Sequence, residues 1–134
     1  MTGSPTTRER GRKLGGLLMW FAVLGGAVAW AVHLIITWAA DEVTCQAGND
    51  TIQGIPLRVV VGAGVVVPAL IAAAALLMAW RAWRTTRAAA GEDDDPRLAR
   101  ASMLALVGVC ADTLFLLIIL AGGAAVVVLA PCQG

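Results

Sequence analysis

The sequence predicts an all-α fold: one membrane domain, residues 1–134, in which three antiparallel transmembrane helices form a bundle. Of the 134 residues 59% are hydrophobic and only 14% charged, whereas soluble proteins carry about 25% charged residues. The charges are confined to short segments between three long apolar stretches. Each stretch exceeds the roughly 20 residues that cross a bilayer, and in lipid only a helix can satisfy the backbone of a single isolated span.

The first apolar stretch, Leu14 to Ala40, contains no charged residue. It is much longer than the roughly 7–15 apolar residues of a cleaved signal peptide, so we expect it to remain as a span. The third stretch is long enough to tilt in the membrane. The predicted bounds are about 15–40 (TM1), 57–80 (TM2) and 101–130 (TM3), with an outer loop at 41–56 and a cytoplasmic loop at 81–100.

The basic residues predict the orientation. Nine of the ten precede TM1 or lie between TM2 and TM3, and the tenth is Arg58 at the start of TM2. Short loops rich in Arg and Lys stay in the cytoplasm, so the N-terminus is predicted to be cytoplasmic and the C-terminus periplasmic or extracellular. Aromatic and basic side chains also anchor helices at the membrane surface. The predicted interfacial anchors are Trp38 outside and Trp80, Arg81, Trp83 and Arg84 inside.

The cysteines divide by predicted depth. Cys45 and Cys132 both fall outside the membrane on the oxidising face, and Cys110 falls within TM3. This arrangement predicts a Cys45–Cys132 disulfide that ties the outer loop to the C-terminus. The alternative is a two-cysteine metal or redox site, but no His or further Cys on that side would complete it. Cys110 is interpreted as a small packing residue.

His33 lies about seven residues from the outer end of TM1, at the depth of Gly64 in TM2 and Gly123 in TM3. Pro68 follows Gly64 by four residues and leaves the Gly64 carbonyl without its helical donor. A neutral imidazole bonded to that carbonyl would give His33 a structural role. The alternative is a haem or metal ligand, but this is the chain's only His and no second ligand lies at its depth. We therefore predict no cofactor and no metal.

Asp112 falls near the bilayer centre, where an ionisable side chain is costly and suggests a function. Two interpretations stay open: a protonated acid donating to a nearby carbonyl such as that of Gly108, or pairing with a group outside this chain. A proton relay is a third. The prediction is that Asp112 points away from its own bundle and marks a partner interface. Small residues that permit close helix contact occur as Ala22 with Gly26, Gly25 with Ala29, and Gly122-Gly123.

Several short motifs together resemble small three-span bacterial membrane proteins encoded beside cytochrome c oxidase subunits and their assembly factors. The Pro-Cys near the C-terminus, with an outer-loop Cys, is the most specific part. The motifs are Gly25-Gly26, Ala29-Trp30-Ala31, His33-Leu34 and Cys45, then Ala79-Trp80-Arg81-Ala82-Trp83-Arg84, Gly108, Leu114-Phe115 and Leu129-Ala130-Pro131-Cys132-Gln133.

The resemblance implies a non-catalytic accessory or assembly subunit that packs against a respiratory complex, a haem-copper oxidase, in the bacterial plasma membrane. The expected partners are therefore membrane lipid and other membrane subunits. No nucleophile–base pair or metal cluster points to an enzyme, and a net charge of +1 gives no sign of nucleic-acid binding. The alternative function is a small oligomeric transporter or channel that uses Asp112 and His33 as proton sites.

Overall fold

A computed structural model describes residues 5–48, 51–52, 54–90 and 96–128. It contains three long helices: α1 (Pro5–Ala47), α2 (Leu57–Ala90) and α3 (Pro96–Val128). All three are long and apolar enough to cross a membrane, over Gly15–Ala47, Leu57–Ala89 and Pro96–Val126. The all-α three-helix membrane fold is therefore confirmed.

The helices extend beyond the predicted spans. Helix α1 continues past Ala40 to Ala47, and α2 continues past Trp80 to Ala90. The physical reason is that loss of hydrophobicity marks where a helix leaves the lipid, whereas Ala, Glu and Arg continue a helix readily in water. Helix α1 ends at Ala47, and the next residue, Gly48, has a φ of 61° and donates its N–H to the Thr44 carbonyl at 3.0 Å. This is the left-handed cap that glycine favours.

A short hairpin connects α1 to α2. Strand β1 (Thr51–Ile52) pairs antiparallel with β2 (Ile55–Pro56). Gly54, in the turn, has a φ of 81°, a conformation that residues with a Cβ rarely adopt. The predicted outer loop, 41–56, is therefore the last turns of α1 followed by this hairpin.

Small side chains fill the inside of the bundle and large apolar side chains cover its outside. Ala72, Ala75 and Ala79 are fully buried on one face of α2, whereas Leu70 and Leu77 are mostly exposed. Membrane helices pack in this way, because lipid tails accept large apolar side chains and close backbone contact stabilises the bundle. At the centre lies an apolar layer of Ala29, Ala72 and Ile119, with Trp30, Val65, Ala69 and Leu116 packed around it.

Candidate functional site

Asp112 lies between α1 and α3 and is completely buried. Its Oδ1 accepts a hydrogen bond from the backbone N–H of Gly26 at 2.9 Å. Its Oδ2 is the one buried side-chain oxygen or nitrogen without a hydrogen-bond partner in the part of the chain that the structure describes. The carboxyl group thus contacts the backbone of a neighbouring helix, not another ionisable side chain.

Glycines allow α1 and α3 to approach closely enough for this contact. A Cβ on Gly26 would overlap Oδ1 of Asp112 and lie 3.0 Å from its Cα. One turn earlier on both helices, a Cβ on Gly108 would lie 2.7 Å from the Ala22 carbonyl oxygen. Ala22 therefore faces Gly108, and one helical turn further along both helices Gly26 faces Asp112.

The prediction that Asp112 points away from its own bundle is wrong. The side chain is fully buried inside the bundle and bonds a backbone group of the same chain, so it does not mark a partner interface. Side-chain chemistry at the depth of Asp112 could not predict this contact, because its donor is the backbone N–H of Gly26, a residue without a side chain. The suggested donation to the Gly108 carbonyl is also absent among the hydrogen bonds of the described residues.

His33 contacts both other helices. Its Nδ1 lies 2.9 Å from the Gly64 carbonyl oxygen in α2, and the residue is buried. Pro68, also buried, has no N–H to offer that carbonyl. A Cβ added to Gly122 of α3 would lie 3.0 Å from His33 Nε2. The predicted bond from the imidazole to the Gly64 carbonyl is therefore present, and Gly122, next to the predicted Gly123, is the neighbour on α3.

The two polar sites are separated by the apolar layer. Gly26 and His33 are seven residues apart on α1, about 10 Å along the axis. Between them Ala29, Ala72 and Ile119, each at most 2% exposed, pack together. The structure does not bring His33 and Asp112 together.

The predicted anchors lie six to ten residues before the ends of their helices, α1 and α2. Trp38 is 70% exposed and Trp80 is 44% exposed. The rings of Trp80 and Trp83 contact each other with centroids 5.3 Å apart, and the Arg87 guanidinium lies 5.1 Å from the centroid of the Trp83 ring. Sequence reasoning did not single out Arg87, although its position four residues after Trp83 puts the two on one helix face.

The cysteine predictions have different outcomes. Cys110 has a free thiol and is exposed on the outside of α3, so its interpretation as a packing residue is wrong. Cys45 lies in the last turn of α1. Cys132 lies outside the described residues, so the Cys45–Cys132 disulfide stays a prediction. No group of three or more His, Cys, Asp or Glu side chains is placed to hold a metal ion within the described ranges.

No protein-family model matches the chain, and neither a curated protein nor a solved structure is significantly similar to it. The three helices capable of spanning the bilayer define the class as a multi-pass membrane protein. His33 and Asp112 are the buried side chains whose transfer into the membrane is most costly, and both bond backbone groups of neighbouring helices.

Proposed function

We propose that this chain is a non-catalytic accessory or assembly subunit of a larger complex in the bacterial plasma membrane. The observation that most supports a role without chemistry is the use of both intramembrane ionisable side chains in helix packing. His33 bonds the Gly64 carbonyl, and Asp112 bonds the Gly26 N–H. The two buried ionisable side chains therefore stabilise contacts between the helices of this bundle. Its outer surface is apolar, which suits lateral packing against other membrane helices.

The resemblance of its short motifs favours a haem-copper cytochrome c oxidase as the complex. With Asp112 buried, this choice of partner depends on the resemblance alone. The orientation proposed with it has a cytoplasmic N-terminus, supported by nine of ten basic residues falling before TM1 or between TM2 and TM3.

The packed interior is unfavourable for the alternative of proton transport. A proton path needs polar side chains or water between its two titrating groups. The layer of Ala29, Ala72 and Ile119 fills the space between His33 and Asp112 with apolar atoms. Within one copy of this chain, the two residues thus act as separate sites.

Affinity purification tests the proposal. The tagged chain, extracted in mild detergent, is expected to bring haem-copper oxidase subunits with it, identified by mass spectrometry and by haem absorption of the purified sample. Because the only histidine, His33, bonds the Gly64 carbonyl, the chain purified alone should show no Soret band. Recovery without any respiratory subunit would contradict the oxidase assignment, and a Soret band lost in His33→Ala would contradict the structural role of His33.

A second prediction concerns the proposed outer face. A Cys45–Cys132 disulfide is expected, because by the proposed orientation both thiols lie on the oxidising side, and Cys110 is expected to stay reduced. Non-reducing peptide mapping should recover a linked peptide that carries Cys45 and Cys132, with Cys110 alone taking up an alkylating reagent. A linkage through Cys110, or alkylation of all three, would show that the pairing or the orientation is wrong.

A further inference from the structure

One exposed face of α2 changes from apolar to basic along a single stripe. Leu70, Ala74, Leu77, Arg81 and Arg84 follow one another at intervals of four, three, four and three residues, which places them on one side of a helix. All five are exposed, with Leu70 at 66% and Leu77 at 58%. The stripe therefore has an apolar part, in which Ala74 lies between Leu70 and Leu77, followed towards the C-terminal end of α2 by a basic part, Arg81 and Arg84.

Beside the basic part lies a preorganised aromatic platform. Trp80 and Trp83 contact each other at 5.3 Å, and Arg87 stacks on Trp83 at 5.1 Å. The stacking holds the Arg87 guanidinium on the Trp83 ring, one turn from Arg84, since residues three apart on a helix are neighbours. No carboxylate among the described residues pairs with Arg81 or Arg84, while Thr85 bonds only the backbone of its own helix.

We propose that this stripe binds an anionic phospholipid from the leaflet facing this end of the bundle. Arg81 and Arg84 contact the headgroup phosphate, and an acyl chain runs along Leu77, Ala74 and Leu70. A guanidinium can donate two parallel N–H bonds to phosphate oxygens. The apolar part of the stripe, next to the arginines, favours a lipid over a soluble phosphate as the ligand. Only an amphiphile can contact both the arginines and the apolar residues. The proposal does not depend on the oxidase assignment.

Native mass spectrometry of the full chain provides the test. The protein is exchanged into nonionic detergent with equal amounts of phosphatidylglycerol and phosphatidylcholine. The wild type is expected to retain phosphatidylglycerol preferentially. Double substitution R81Q/R84Q should weaken retention by about fivefold for each arginine removed. R81K/R84K, which keeps the charge but not the bidentate donors, should retain more than the glutamine pair, and Trp83→Leu should weaken retention less than R81Q/R84Q.

The matched control is Arg58→Gln, at the opposite end of the same helix. Arg58 is exposed but has no neighbouring tryptophan or second arginine on its face, so its replacement should leave retention unchanged. Equal retention of phosphatidylcholine and phosphatidylglycerol by the wild type would overturn the proposal. So would equal losses in Arg58→Gln and R81Q/R84Q, or no loss in R81Q/R84Q. Circular dichroism of each variant verifies that the exposed substitutions leave the helices intact.

Discussion

The Gly64 and Gly26 regions use a buried polar side chain in opposite ways. At Gly64, His33 bonds a carbonyl that Pro68 has deprived of its helical donor. At Gly26, Asp112 accepts from an N–H that has an alternative acceptor, the Ala22 carbonyl one turn earlier in α1. The first side chain satisfies a backbone group that has no other partner in its helix, whereas the second takes up a group that its helix could satisfy.

This difference predicts unequal costs of deletion. Removing His33 leaves a buried carbonyl unpaired, which is costly in an apolar interior. Removing the Asp112 carboxyl eliminates the unpaired Oδ2 and still leaves the Gly26 N–H an acceptor in its own helix, the Ala22 carbonyl. For the α1–α3 interface we therefore expect stability to depend more on the absence of a side chain at Gly26 than on the hydrogen bond itself.

The largest effect is expected from Gly26→Ala. The added Cβ would meet Oδ1 and, at 3.0 Å, the backbone Cα of Asp112, which cannot rotate away. Overpacking of this kind costs about 3 kcal/mol, measured by denaturant unfolding in detergent micelles. Gly62→Ala is the matched control: it is also helical but has nothing within 4 Å of its Cβ, so it should gain about 0.5 kcal/mol from its helix propensity. Equal effects at both positions would mean that α1 and α3 are not in close contact.

An intermediate effect is expected from His33→Leu. The substitution leaves the Gly64 carbonyl unpaired and should lower the free energy of unfolding by about 2 kcal/mol. In the double variant His33→Leu/Pro68→Ala, the new N–H at residue 68 can bond Gly64, so much of this loss should be recovered. A double-mutant cycle in the same detergent measures that coupling. Additive effects of the two substitutions would show that Pro68 does not create the need for His33.

The smallest effect is expected from Asp112→Asn. The amide oxygen can still accept from the Gly26 N–H, so the loss should be at most about 1 kcal/mol, in the range measured for hydrogen bonds between membrane helices. Thr113→Val is the neighbouring control, since Thr113 is exposed and bonds only the Val109 carbonyl of its own helix. A loss in Asp112→Asn larger than in His33→Leu would reverse the proposed ranking and give Asp112 a role beyond packing.

The two sites also differ in how far the sequence could predict them. Proline removes a donor from a carbonyl four residues earlier, so Pro68, Gly64 and a histidine at the same depth are enough to predict the bond from local chemistry. Nothing in the sequence marks the N–H of Gly26 as a donor to another helix. The spacing of Ala22 and Gly26 did indicate close helix contact, but not that Gly108 and Asp112 would be opposite them.

Hydrophobicity and charge by themselves determined that three helices can span a bilayer, because lipid tolerates few other arrangements of such segments. The same local arguments predicted the His33–Gly64 contact. Only the tertiary structure decided the environment of Asp112. Whether a polar side chain on a membrane helix faces inward or outward depends on the rotation and separation of the helices, and these are set by glycine contacts between residues more than 80 positions apart. A side chain's depth can be counted along its own helix, but the backbone it meets is a property of the assembled bundle.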